Sequence, residues 1–450
     1  MAHRKEAAFA ALAALTLVAC SMSTVVPAMD GGSETSDAGL TEMGPRDLGV
    51  DLGPRDLGVD LGPPDLGGME IPADEPPRLA LSVLNTFALL GDGSFASAGS
   101  NLWAQRGAPR TSSASGLSFE LYTGGAATFA ALAATQFAGF GISTSGRLYS
   151  WGTNARGVLG AGISETTYVQ AMPSAIGGAA DLWRSVDGGD RHVCGIRQSG
   201  VLACWGDRED GPLGVGATTG EATSPVDVDA TTDWSRVSAG LSHTCAIKLD
   251  GSLWCWGSNG GSSRSGQLGL GDHVSRSTPT RVGTATDWSR VSAGNAHTCA
   301  VKTTGALFCW GEASVWGRLG LGMGVAGPGA DGDVREPAEV TVPAVTWENV
   351  AAGQFHTCAI ATGGDLYCWG VGTRGALGLG MAEADQQASV PTLVSSGWAE
   401  VAVGWSHTCG RRTDDSLLCW GQIDDGRTGT GVDPSTALDL FEPTPVIVAR

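Results

Sequence analysis

Ten of the eleven cysteines in this 450-residue chain form five pairs, each ten residues apart. They are Cys194 with Cys204, Cys245 with Cys255, Cys299 with Cys309, Cys358 with Cys368, and Cys409 with Cys419. A histidine stands two residues before each pair: His192, His243, His297, His356 and His407. Such thiols can close disulfides, lie buried and free, or join the histidine around a metal. Zinc takes four ligands, and each unit offers three. The disulfide reading is therefore preferred, and no metal or other cofactor is expected.

The segment between the thiols supports this choice. In "HTCAIKLDGSLWCWG" (243–257), Asp250-Gly251 is a turn signal between two runs of strand-forming residues. A three-residue loop, Leu249 to Gly251 with Gly251 left-handed, pairs Lys248 with Ser252 and sets Cys245 opposite Cys255. A two-residue loop would oppose Cys245 to Trp256. Opposed residues of an antiparallel pair have Cα atoms about 4.5–5.5 Å apart, within the roughly 4.4–6.8 Å of a disulfide. Ile247 and Leu253 share the cysteines' face, which is expected to be buried.

The same phrase recurs, so the elements that carry it are repeats. The glycine that closes "WG" falls at Gly99, Gly152, Gly206, Gly257, Gly311, Gly370 and Gly421, defining seven units of 51–59 residues. Most units open on a tryptophan strand ("WSRVSAG" at 234 and 288) and follow the hairpin with a glycine-rich turn ("GQLGLG" at 266–271). Several close on a short proline-bearing strand ("STPTRV" at 277–282). Four short strands per unit and no helical period specify an all-β fold, a seven-bladed β-propeller over residues 78–450. A closed ring leaves no free sheet edge between first and last blades. "EPTPVIV" (442–448) is expected to supply the matching final strand and to complete the first blade. In the first two units Phe87/Ser97 and Phe140/Ser150 replace the cysteine pairs, so both members are present or neither is.

The pattern "W-x-x-V-x-A-G-x-x-H-T … D-G-x-L-x-x-W-G … G-Q-L-G-L-G" resembles the repeat of the regulator of chromosome condensation family, which implies the same seven-bladed propeller. The match is strong in the last five units and weak in the first, where Ala98 stands for the tryptophan. The resemblance also implies a structural role for the histidines, since the family has them without cysteine. Fold does not give function, because propellers of this kind do unrelated jobs.

Disulfides require export. His3-Arg4-Lys5 is a positive leader, Ala7 to Ala19 is too short an apolar stretch to span a bilayer, and Leu17-Val18-Ala19-Cys20 resembles a bacterial lipobox. Residues 1–19 are thus expected to be a lipoprotein signal peptide, with Cys20, the odd eleventh cysteine, acylated. Ser21 favours the outer membrane by resemblance to lipoprotein sorting. Residues 20–77 read as an acidic tether rich in Gly, Pro and Asp, expected to be disordered, with "GPRDLGVDL" at 44–52 and again at 53–61. Residues 1–29 carry +1 and 30–77 carry −10, so the chain's −19 leaves −10 on the propeller. An acidic head excludes the electrostatic footprint of nucleic-acid binding.

No P-loop, G-x-S-x-G or H-E-x-x-H occurs, so no catalytic residue is assigned and no enzyme is expected. Asp331, Asp333 and Glu336, in the insertion 330–336, lack the full pattern of a calcium loop and read as solvated acids. Function in a repeat protein is sought where units differ at equivalent places. The segments after "WG" differ most: "TNAR" (153–156), "DRED" (207–210), "EASVW" (312–316), "VGTR" (371–374) and "QIDD" (422–425). Arg156, Arg208, Glu209, Trp316, Arg374 and Asp424 are the partner-binding candidates, with Trp316 and Arg374 the anchors. The expected protein is a monomeric, envelope-anchored binding scaffold for a protein or polysaccharide, touching the membrane only through its lipid. Two alternatives are a nucleotide-exchange regulator by family analogy and a propeller enzyme with an unrecognised site.

Overall fold

The structure is a computed structural model that describes residues 78–108, 115–122, 127–165, 167–260, 265–313, 317–322, 333–380, 387–435 and 439–449. The signal segment, the tether, Cys20, Trp316 and Asp331 lie outside the described residues.

Among the described residues the chain forms seven antiparallel blades, which start at Leu79, Phe129, Trp183, Trp234, Trp288, Trp347 and Trp398. Blade 4 shows the plan. Its strands Trp234–Ala239, His243–Lys248, Leu253–Gly257 and Arg276–Arg281 lie side by side in chain order. First strands touch the first strands of neighbouring blades and so surround a central channel.

The turn is the three-residue one. Lys248 N donates to Ser252 O at 3.0 Å, Gly251 N to Lys248 O at 2.9 Å, and Gly251 sits at φ 76°. Stepping back from that bonded pair, Cys245 and Cys255 fall on a non-bonded pair, where side chains stand closest. All five cysteine pairs are joined, with Cα atoms 4.1 Å apart. Cys245, Ile247, Leu253 and Cys255 are buried, as are Trp205, Trp256, Trp310, Trp369 and Trp420. Those tryptophans are core.

The C-terminus refines the expectation for 442–448. Leu440–Pro445 is the outer strand of blade 7, and the chain meets blade 1 from Ile447 onward, with Val448–Ala449 as a parallel fifth strand. The reason lies at one position of the outer strands. Pro173, Pro225, Pro279, Pro337, Pro391 and Pro443 occupy it in blades 2–7, and Phe119 in blade 1. Proline removes an amide and blunts an edge. Phe119 keeps its amide, which donates to Ile447 O at 2.8 Å. Its ring also fills the place left by Ala98, packing so closely that a Cβ on Gly429 would lie 2.2 Å from Phe119 Cδ2. In the other blades the equivalent glycine faces the tryptophan, as Gly214 faces Trp256.

Candidate functional site

Two sets of loops meet on one end of the ring. His243 pairs with Gly257, so the turn that enters the second strand and the loop that leaves the third lie together. Ser258 N donates to Ser242 O, and Asp207 N to Arg191 O, both at 2.9 Å. The entering turns place Val83, Gln136, Asp190, Leu241, Asn295, Gln354 and Trp405 around the channel mouth, one from each blade. The leaving loops form an outer ring around them. The repeat holds the frame constant while this inner ring changes from apolar to amide to carboxylate. It was missed in the sequence, although the residue after glycine in "A-G-x-x-H-T" carried the signal.

The frame is locked from blade to blade. Thr298 Oγ1 donates to Gln267 O at 2.9 Å, and Trp310 Nε1 donates to the same carbonyl at 2.9 Å. A glycine-rich loop of blade 4 is thereby held by two side chains of blade 5. A hydroxyl has one proton, so Thr298 must accept from His243 Nε2, 2.9 Å away. That fixes the histidine as the neutral Nε2–H tautomer. The same link joins His192 to Thr244, His297 to Thr357, His356 to Thr408 and His407 to Thr86. The last of these closes the ring from blade 7 to blade 1. Burial holds every one of these histidines well below the ordinary range, at about 4 for His192 and His356 and about 3 for His243. Near the channel axis, Ala239 N donates to Asp187 Oδ2 at 2.9 Å, and burial pushes that carboxyl up to about 6. The histidines are structural donors rather than acid–base groups or ligands.

The proposed contact residues fall in two groups. Arg374 is exposed at φ 61°, with Nη2 2.8 Å from Asp424 Oδ2 and Nε 2.8 Å from Asp439 Oδ2. Arg374 and Asp424 therefore meet across blades 6 and 7. Between blades 2 and 3, Arg156 Nε is 3.8 Å from Asp207 Oδ2, and Glu209 Oε2 is 3.8 Å from Arg191 Nη1. Arg208 joins neither group; its amide donates to Gly220 O at 3.0 Å. Asp333 is buried, so it is no solvated acid of an open loop. Among the described residues no cluster of three His, Cys, Asp or Glu could hold a metal, and no helix is long and apolar enough to cross a membrane.

The regulator of chromosome condensation (RCC1) repeat matches residues 145–196, 250–301 and 363–410, and a second form of that repeat matches 347–376 and 398–427. The chain is an RCC1-repeat propeller. It is 31% identical over 295 residues to the ultraviolet-B receptor UVR8 of Arabidopsis thaliana, covering 63% of this chain and 62% of the receptor. It is 27% identical over 305 residues to the human E3 ubiquitin-protein ligase HERC2, covering 65% of this chain and 6% of the ligase. The matched part is thus less than two thirds of either protein. Prp20p of Saccharomyces cerevisiae, whose structure was described with its binding to Gsp1p and histones, superposes with a TM-score of 0.67 at 18% identity. That match covers 82% of this chain and 88% of Prp20p. Human WBSCR16 superposes at 0.63 and 19% identity, covering 74% and 85% of the two chains. These two structures share the propeller fold with this chain.

Proposed function

We propose that this RCC1-repeat propeller is a non-enzymatic scaffold, anchored to the cell envelope through Cys20, that recognises a protein partner with the loop-bearing face. The observation that carries the reading is the contrast on that face. Seven equivalent positions around the channel mouth differ in chemistry, on a frame tied by five disulfides and five histidine–threonine links. Rigid presentation of varied side chains lowers the ordering cost of association. Leu241 and Trp405 add apolar area beside the amides of Gln136, Asn295 and Gln354, a mixture suited to a folded protein surface. The disulfides favour an oxidising compartment, and "LVAC" at 17–20 supplies the anchor.

The test is capture from envelope and medium with the full chain, beside Leu241→Asp and Trp405→Ala variants. Capture that is lost in both variants at unchanged melting temperature supports the face. Equal capture by all three proteins moves recognition elsewhere and defeats the proposal. Cys20→Ser should release the protein from membranes; a variant that stays wholly membrane-bound removes the lipid anchor.

A further inference from the structure

The clefts between blades on this face share one geometry, and the chain fills two of them itself. The carbonyl that binds the next blade belongs to Arg318 in blade 5, Arg427 in blade 7 and Val158 in blade 2. Where that residue is arginine, its side chain turns into the cleft and is almost fully buried. Arg318 Nη1 donates to Gln354 O at 3.3 Å, pairs with Glu312 Oε2 at 3.1 Å, and lies over the Phe355 ring. Arg427 Nη1 donates to Val83 O at 2.9 Å. Gln354 and Val83 are equivalent residues, each the one its blade places at the channel mouth. Two clefts have thus selected the same group in the same pose: a guanidinium on a mouth carbonyl.

In the cleft between blades 2 and 3 the equivalent residue is Val158, too short to reach across. A cavity of about 250 Å³ lies there, lined by Val158, Gln136, Phe137, Arg156, Asp190 and Arg191 among others, against the roughly 30 Å³ share of a water molecule. Asp190 is the counterpart of Gln354 and Val83, so it offers the same carbonyl and adds a carboxylate. Pro212 and Ala376 are short too, but the mouth residues opposite them, Leu241 and Trp405, carry no charge. The charged side chains that line the cavity are Asp190, Arg156 and Arg191. Asp190, Asp207 and Glu209 face Arg156 and Arg191, with Arg191 Nε 3.2 Å from Asp190 Oδ2 and Nη1 3.6 Å from Asp207 Oδ2. Burial raises the Asp190 carboxyl against the pull of Arg191.

We propose that this cleft receives an arginine side chain from the protein partner, seated as Arg318 and Arg427 are seated in their own clefts. This rests on the scaffold reading and adds to it the chemistry of one contact. The guanidinium donates to the Asp190 carbonyl and carboxylate, and Phe137 supplies an aromatic wall.

The test uses N-acetyl-arginine amide and N-acetyl-lysine amide, titrated into the full disulfide-bonded chain. Arginine amide is expected to bind at least threefold more tightly than lysine amide, because only the planar fork reaches both oxygens. Val158→Arg should fill the cleft from within and abolish arginine-amide binding, with a melting temperature at or above that of the parent. Asp190→Asn, which keeps the cavity open, should weaken binding at least fivefold. Absence of arginine-amide binding to the parent, or equal binding by parent and both variants, overturns the proposal. The readouts separate from those of the scaffold reading. Partner capture that persists unchanged in Val158→Arg overturns the cleft's role and leaves the scaffold standing.

Discussion

Blades 3–7 and blades 1–2 solve the same packing problem with different chemistry. In blade 4 a disulfide ties Cys245 to Cys255, and His243 reaches Thr298 of the next blade. In blade 1 Phe87 stands opposite Ser97, and Asn85 takes the histidine's place and bonds within its own blade. Gly139, at the threonine position of blade 2, lets the Trp151 ring lie against the backbone; a Cβ there would sit 2.3 Å from that ring. The join between blades 1 and 2 is aromatic: Phe87, Phe95, Phe129 and Trp151 pack with ring centroids 5.0–6.3 Å apart. Histidine and threonine are lost together across the interface, as the two cysteines are lost together across the hairpin. Ala138 of blade 2 and Val193 of blade 3 hold the histidine and threonine positions at the next interface, both buried in one apolar cluster. A hydrogen bond between buried groups is worth keeping only whole, because a lone partner costs more than an apolar pair.

Acid should separate the two halves most strongly. His192, His243 and His356 have folded values of about 4, 3 and 4 against 6.5 when exposed. The unfolded chain therefore binds more protons below pH 6.5. Stability is complete above that pH and falls as pH drops towards the folded values, by about 1.4 kcal/mol per unit for each histidine. Asp187 runs the other way, its value raised from 3.8 to about 6, and regains stability over the same range. Burial raises Asp190 and Glu400 as well, but five lowered histidines outweigh three raised carboxyls. Hydrogen exchange at pH 7 and pH 4.5 should show protection lost first between blades 3 and 7. Uniform loss, or first loss in blade 2, would break the distinction.

Phe119 tests the exceptional edge. Phe119→Ala leaves a hole beside Ala98 and should cost about 3–5 kcal/mol, read from denaturant unfolding, with early loss of protection in residues 440–449. A cost under about 1 kcal/mol would mean that blade 1 does not depend on this ring.

Within the disulfide half, replacing Cys245 and Cys255 together by alanine should cost about 2–4 kcal/mol. Reduction of the intact protein should loosen blades 3–7 and spare the aromatic join between blades 1 and 2. Equal loosening on both sides would show that the blades are coupled too tightly for the contrast to matter.

The smallest expected effect sharpens the pairing rule. Thr298→Val strands the His243 donor and should cost about 1–3 kcal/mol. Adding His243→Ala copies the Ala138/Val193 arrangement, and the double variant should be less destabilised than the sum of the two single ones. Strict additivity in a double-mutant cycle would refute the coupling.

Much of the frame was legible because it is local. The register of Cys245 and Cys255 needs only eleven consecutive residues and one glycine turn. The count of blades needs only the period. Arg374 and Asp424 were also legible as loop residues, but their meeting was not, since they lie 50 positions apart on different blades. The ring of residues at the channel mouth escaped notice because each is one small change in a constant phrase, and only the closed circle sets the seven side by side.

The sequence by itself determined the strands, the hairpin register, the cysteine pairs and the sevenfold repeat, all of which follow from contacts within about fifty residues. Tertiary structure alone decided which threonine accepts each histidine, why the C-terminal strand settles on Phe119 rather than on a proline edge, and which cleft stays open beside Val158. Those outcomes depend on how neighbouring blades face one another. That geometry comes into being only when the ring closes, and no single repeat contains it.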